Sequence, residues 1–316
     1  MRYFVSVGVS ALNLEETMAS ERLFDERTQR KLEQLMLIAT RVRAGAMKGE
    51  RRSIKRGTSI EFADYRNYTQ GDDLRHLDWN IYARLDRPFI KLLEDEEDLA
   101  VHLLIDTSAS MDWPQDSDSD ERKMTYAQRL MAGLAYISMA SNDRLMLTGI
   151  SDSGLQQFGP VRGRGRSIAM MSFVAGLEAG GVTDLNDALK DYALRGGRPG
   201  LAIIISDMFS PTGFIDGLNA LLGKGYEVVF IHTLSPDEIT PPITGDLRLI
   251  DVETGEPQEV SVDSTMRQMY DNRLTNWRND IQMECRRRGA HYIPVETSVS
   301  WEKLILSDMR RLGIVR

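Results

Sequence analysis

The chain has 316 residues, 42% hydrophobic and 27% charged, with a formal net charge of −8 and one cysteine. This is an ordinary globular balance in a chain long enough to bury a sizeable core, and the length suggests about two domains. The lone Cys285 excludes an intramolecular disulfide, the acidity disfavours nucleic acid as the main partner, and no apolar run approaches the ~18 residues of a membrane span. Serine and glycine dilute the apolar core of the opening residues 1–9, which make a poor signal peptide, so a cytoplasmic location is expected.

In chain order, Leu32, Leu35, Met36, Ala39 and Val42 recur at helical spacing and predict a helix over 21–47, ended by Lys48-Gly49. The basic run Arg41, Arg43, Lys48, Arg51, Arg52, Lys55, Arg56 reads as a charged helix end with a surface turn. The sharper alternative is a contact for an acidic partner or phosphate. Residues 51–91 resist a periodic reading and are expected to form an irregular layer docked against the domain that begins near residue 97. There Arg66, Arg75, Arg84 and Arg87 alternate with Asp64, Asp72, Asp73, Asp78 and Asp86, which favours internal ion pairs. Phe62, Tyr65, Tyr68, Trp79 and Tyr82 are their expected packing partners.

From residue 97 strand and helix signals alternate, which predicts βα units and a parallel sheet. Strands are expected at 99–105, 144–150, 201–206, 227–232 and 290–295. Helices are expected at 123–141, 167–178, 184–195, 211–223, 265–288 and 300–312, with a strand pair within 245–262. The division expected is therefore 1–96, a helix plus an Arg/Asp/aromatic block, and 97–316, the main domain.

The chemistry concentrates at two strand ends. The apolar run 99–105 leads into Asp106-Thr107-Ser108-Ala109-Ser110, and the run 201–205 leads into Ser206-Asp207. In open α/β sheets ligands bind in the crevice at the carboxyl ends of strands. Asp106, Ser108 and Ser110 offer three hard oxygen groups from one loop, suited to Mg²⁺, Mn²⁺ or Ca²⁺ rather than zinc or copper. Thr183, at the start of a helical pattern, adds a hydroxyl. The bland alternative is that these residues cap helices without a metal.

Asp106, Ser108, Ser110, Thr183 and Asp207 resemble the metal-ion-dependent adhesion site of von Willebrand factor A domains, over about residues 97–316. The resemblance implies a doubly wound, mostly parallel α/β sheet with helices on both faces. It also implies that the three hydroxyls reach a divalent cation and that the two carboxylates do so directly or through water. A partner's Glu or Asp would fill the position left open. Upstream, residues 56–68, Gly71-Asp72-Asp73-Leu74-Arg75-His76-Leu77-Asp78-Trp79 and Tyr82-Ala83-Arg84 resemble the bacterial and archaeal family catalogued as domain of unknown function 58. Many of its members open with a pair of membrane-spanning helices, which this chain does not show. Its members are typically encoded beside MoxR-type AAA+ ATPases, so the resemblance implies such an ATPase, or its substrate, as partner.

Together these readings predict a divalent-cation-dependent protein-binding module rather than an enzyme. A metal-dependent hydrolase is the alternative; it would need a nucleophile or general base, and no His lies within the motif loops. An RNA-binding scaffold is a second alternative, with only the basic run in its favour. No Walker-type phosphate loop is present, which disfavours ATP hydrolysis by this chain. Asp116-Ser117-Asp118-Ser119-Asp120 lacks the Gly and Glu of a calcium loop, and the four histidines lack ligand spacing. Cys285 falls on the apolar face of Leu274, Trp277 and Ile281, as inert core. Arg162-Gly163-Arg164-Gly165-Arg166 and Arg286-Arg287-Arg288 read as solvated faces, although the first could touch an anion. Asp112 and Asp184 are spare carboxylates close to the motif.

Overall fold

A computed structural model describes residues 23, 26–39, 60–69, 77–95, 99–115, 121–195, 197–250 and 257–316. The chain divides into two compact units, 47–98 and the remainder, so residues 1–46 group with the larger unit.

In the smaller unit β1 (Ile60–Asn67) pairs antiparallel with β2 (Phe89–Asp95), and α2 (Trp79–Leu85) lies between them in sequence. Asp78 caps α2, its carboxylate accepting from the Asn80 and Ile81 amides at 2.9 and 3.1 Å. The block is thus more regular than expected, because strand pairing satisfies backbone groups that a purely irregular layer would leave open. Trp79 and Tyr82 meet edge to face and are exposed. The basic run 41–56 and the residues 71–76 lie outside the described residues.

In the larger unit α1 (Glu26–Leu32) falls within the predicted 21–47 helix but residues 33–39 leave it, while residues 21–22, 24–25 and 40–47 lie outside the described residues. Beyond it Leu35, Leu37 and Ala39 are buried while Met36 is exposed, the alternation of an extended segment. Met36 and Ile38 donate to the carbonyls of Arg316 and Ile314, and Leu37 bridges Val315. Tertiary pairing with the chain's last residues has overridden helical spacing at these positions.

The central sheet has the order β10-β7-β6-β3-β4-β5. Its strands are β3 (Ala100–Asp106), β4 (Arg144–Ser151), β5 (Gly154–Val161), β6 (Leu201–Ser206), β7 (Glu227–Leu234) and β10 (His291–Glu296). All neighbouring pairs are parallel except β4 with β5. The helices are α3 (Lys123–Ala140), α4 (Ser167–Ala175), α5 (Leu185–Arg195), α6 (Ile215–Gly223), α7 (Pro236–Ile239), α8 (Ser264–Arg288) and α9 (Trp301–Lys303), the last continuing as a π-turn over Leu304–Met309. The hairpin β8 (Gly245–Ile250) and β9 (Pro257–Val262) stands apart from this sheet. Alternate residues of each central strand enter opposite cores. Val101, Leu103, Ile105, Ile203 and Ile205 pack with Leu130 and Leu134 of α3, whereas Leu104, Ala202, Ile204 and Phe230 pack with Leu189 of α5 and Leu218 of α6.

Strand order decides where a site can form. From β3 the chain moves to β4 on one side and returns to β6 on the other, so the carboxyl ends of β3 and β6 flank a topological switch point. Asp106 closes β3 there, and Ser206-Asp207 closes β6.

Candidate metal centre

Of the five predicted residues, Asp106 ends β3 while Ser108, Ser110, Thr183 and Asp207 lie in the segments that follow strand ends or precede α5, and all five are buried. The Asp106 carboxylate accepts the Ser108 amide at 3.0 Å and the Ser206 hydroxyl at 2.8 Å. The first bond folds the loop into a 3₁₀ turn over Ala109–Asp112, which brings the Ser108 and Ser110 hydroxyl oxygens to 3.0 Å of each other. Spacing two in sequence has become adjacency in space.

The Thr183 loop is tied to this turn by two backbone bonds, Ala109 N–H to Gly181 O at 2.9 Å and Gly180 N–H to Thr107 O at 2.8 Å. Gly181 sits at φ 72°, left-handed backbone that glycine enters at little cost, and it turns the chain toward Val182-Thr183. The Asp184 carboxylate accepts the Asp187 amide at 3.0 Å and the Thr212 hydroxyl at 2.8 Å, linking this loop to the one after β6. In that third loop Met208 is left-handed at φ 62°, uncommon for a non-glycine residue, and its amide donates to the Ser206 hydroxyl at 2.8 Å.

Asp207 and Asp106 differ in their partners. Asp207 Oδ1 accepts the Phe209 amide at 3.1 Å, and Oδ2 accepts the Lys123 ammonium at 2.6 Å. Lys123 also donates to Glu238 Oε1 at 2.6 Å. Asp106 has only neutral donors in hydrogen-bond contact, and its carboxyl is pushed up to about 6. Burial is the main cause and the nearby Asp207 charge the second, opposed by the bonds from Ser108 and Ser206. On the loop tied to Thr107 and Ala109, the buried Thr183 hydroxyl has no hydrogen-bond partner.

These observations fit a hard cation. A buried hydroxyl without a partner costs free energy, and a carboxylate pushed up by burial and a like charge is relieved by a cation. Two carboxylates and three hydroxyls match the oxygen preference of Mg²⁺, Mn²⁺ or Ca²⁺. Among the described residues no three His, Cys, Asp or Glu side chains gather as a metal-holding group, so this set depends on its hydroxyls.

Other features of the sequence resolve around the centre. Asp112 pairs with Arg122 at 2.8 Å and Asp184 is spent on its loop, so both spare carboxylates have structural partners. His102 and His232 are core residues, each with Nδ1 on a tyrosine hydroxyl, Tyr192 at 2.6 Å and Tyr292 at 2.7 Å. Cys285 is buried and free. Arg164 pairs with Glu33 at 2.9 Å, and Arg287 and Arg288 pair with Glu284. Residues 116–120 lie outside the described residues.

Sequence reasoning misses Ser206, Lys123 and Glu238. Glu238 is accessible through Ser235-Pro236-Asp237-Glu238, a capping-box spacing that the structure realises at α7. Lys123 carries no such signal, since a lysine opening a helix ordinarily faces water.

Residues 64–280 match the family model described as Protein of unknown function DUF58. The uncharacterized protein Rv1480 of Mycobacterium tuberculosis is similar at 26% identity over 260 residues, 81% of each chain. The uncharacterized protein MAV169 of Mycobacterium avium is similar at 32% identity over 104 residues, 33% of this chain and 61% of that one. Among solved structures, the conserved hypothetical protein BatB from Bacteroides thetaiotaomicron aligns at TM-score 0.41 and 16% identity, over 68% of this chain and 98% of that one. An aerotolerance-related membrane protein from Bacteroides fragilis aligns at TM-score 0.42 and 19% identity, over 67% and 99%.

Proposed function

The chain belongs to the DUF58 family, and from that premise we propose that its larger unit is a von Willebrand factor A-like, divalent-cation-dependent protein-binding module without turnover of its own. The observation that carries this reading is the buried Thr183 hydroxyl, without a hydrogen-bond partner, on a loop tied to the hydroxyl pair Ser108–Ser110 beside Asp106 and Asp207. Bound there, Mg²⁺ or Mn²⁺ would offer an open coordination position to a carboxylate from outside. Ser108, Ser110 and Thr183 supply neutral oxygens that hold a cation without cancelling its charge. Asp106 fixes the first loop through its bond to the Ser108 amide. One large apolar side chain stands exposed beside each ligand-bearing loop: Trp113 after Ser110, Val182 before Thr183 and Phe209 after Asp207. Such a rim suits a macromolecular surface with an acidic residue at its centre. A MoxR-type AAA+ ATPase, or its substrate, is the partner that the family resemblance supplies. Among the described residues no helix is long and apolar enough to cross a membrane.

The test is calorimetric titration of the purified chain with Mn²⁺, followed by capture of a purified MoxR-type ATPase in Mg²⁺ and in EDTA. The wild type is expected to bind one ion and Asp106→Ala none, with circular dichroism unchanged, and the ATPase complex is expected to vanish in EDTA. Equal Mn²⁺ affinity in the two proteins overturns the metal assignment. A complex that persists in EDTA moves docking away from this centre, and Mg²⁺-dependent phosphatase activity lost in Asp207→Ala would favour the hydrolase.

A further inference from the structure

The two carboxylates of the centre are not equivalent, and Lys123 makes them so. Lys123 opens α3 with no exposed side-chain surface, its ammonium 2.6 Å from Asp207 Oδ2 and 2.6 Å from Glu238 Oε1. It also lies 5.3 Å from the centroid of the Phe209 ring. Glu238 is fixed independently, since its other carboxylate oxygen accepts the Ser235 amide at 2.8 Å within the capping box. Lys123 itself is anchored at its backbone, donating to the Trp113 carbonyl at 2.9 Å. The ammonium is therefore built into place between two carboxylates and beside an aromatic face, rather than swinging in water. Both oxygens of each carboxylate are engaged, but one Asp207 oxygen takes a full positive charge, whereas the hydrogen-bond donors on Asp106 are all neutral.

We propose that Lys123 is a positioning residue that keeps Asp207 from binding a cation directly, leaving Asp106 the only carboxylate in direct contact with it. This rests on the proposed metal site. Its consequence is a centre with one directly bound negative charge, so that an ion held there retains charge for an incoming carboxylate. Glu238 tunes the arrangement by sharing the ammonium. Without it, the whole lysine charge falls on Asp207.

The two sides of this triad predict opposite effects on one measurement, the Mn²⁺ affinity followed by electron paramagnetic resonance. Water-proton relaxation counts the water molecules on the bound ion. Lys123→Met is expected to bind Mn²⁺ about tenfold tighter, with one fewer bound water, as the released carboxylate moves onto the ion. Glu238→Gln is expected to bind about threefold more weakly with the water count unchanged, because the glutamine amide oxygen still accepts the Ser235 amide while the lysine charge concentrates on Asp207. A merely structural lysine would give weaker or unchanged binding in Lys123→Met and unchanged binding in Glu238→Gln, whose bond to the Ser235 amide persists, and any of these results overturns the proposal. Lys123→Met leaves the buried Asp207 and the partly buried Glu238 without their cation and could fail to fold. Glu238→Gln then decides alone: unchanged or tighter Mn²⁺ binding overturns the proposal. A wild type that binds no Mn²⁺ overturns the metal site itself, and this inference with it.

Discussion

At the scale of single residues, the Thr183 hydroxyl separates a binding role from a folding role. It is buried without a hydrogen-bond partner, so the folded chain carries its desolvation cost with nothing in return. Thr183→Val removes that group at nearly constant volume. The metal-free variant is expected to unfold at the same urea concentration as wild type or higher, with a gain of up to about 1 kcal/mol. Mn²⁺ affinity should fall by about tenfold, since one neutral ligand is lost. A variant that loses urea stability while keeping Mn²⁺ affinity would show that the threonine serves packing instead. The residue scale is also where sequence is most informative about the candidate ligands and least informative about their environment. Asp106, Ser108, Ser110, Thr183 and Asp207 are legible because strand-end position and oxygen chemistry are local properties. Lys123 is not, because the burial of an ammonium depends on two carboxylates 84 and 115 residues away in sequence.

At the scale of elements, the Thr183 loop is positioned by the seating of α5 on α6. A β-carbon on Gly217 would lie 2.6 Å from Leu189 Cβ and 2.9 Å from the Asn186 carbonyl oxygen, closer than such atoms approach. The Gly217 amide meanwhile donates to the Asn186 side chain at 2.9 Å. Gly217→Ala gains up to ~1 kcal/mol in helix propensity but forces the helices apart at a cost of about 1–3 kcal/mol. The expected outcome is a lowered urea midpoint together with weaker Mn²⁺ binding, because α5 begins two residues after Thr183. A midpoint at or above wild type would mean that the helices separate without strain. Elements whose burial follows their own pattern are the legible ones: β6 is apolar up to Ser206, β3 and β7 are mostly apolar and buried throughout, and α5 has a clear face. The segment Leu35–Ala39 reads as helix in sequence because its five residues are apolar or small in any register, and pairing with residues 314–316 chose the extended form. Edge strand β5 escapes a sequence reading because Gln156, Gln157 and a terminal Gly-Pro dilute its alternation.

At the scale of the whole molecule, buried neutral histidines tie stability to pH. Burial holds His102 down to about 4 and His232 to about 3, against 6.5 for an exposed histidine. In His102, Nε2 lies 3.0 Å from the Arg198 carbonyl, which can only accept, so Nε2 carries the proton and Nδ1 accepts from Tyr192. As pH falls below 6.5 the unfolded chain takes up protons that the folded chain refuses, so stability present above 6.5 is lost down to about 4. His102 alone accounts for roughly 3 kcal/mol at most. Urea midpoints from pH 7.5 to 4.5 are expected to fall steeply in wild type and less so in His102→Gln; parallel curves would remove His102 as the cause. The sequence by itself determined the alternation of strands and helices, the parallel sheet and the oxygen-rich strand ends, because these follow from short-range apolar periodicity and side-chain chemistry. Only the tertiary structure decided that β6 returns beside β3, which brings Asp106 and Asp207 together at a switch point. It also decided that Lys123 and Glu238 join them, since contacts across such separations depend on how the whole chain packs.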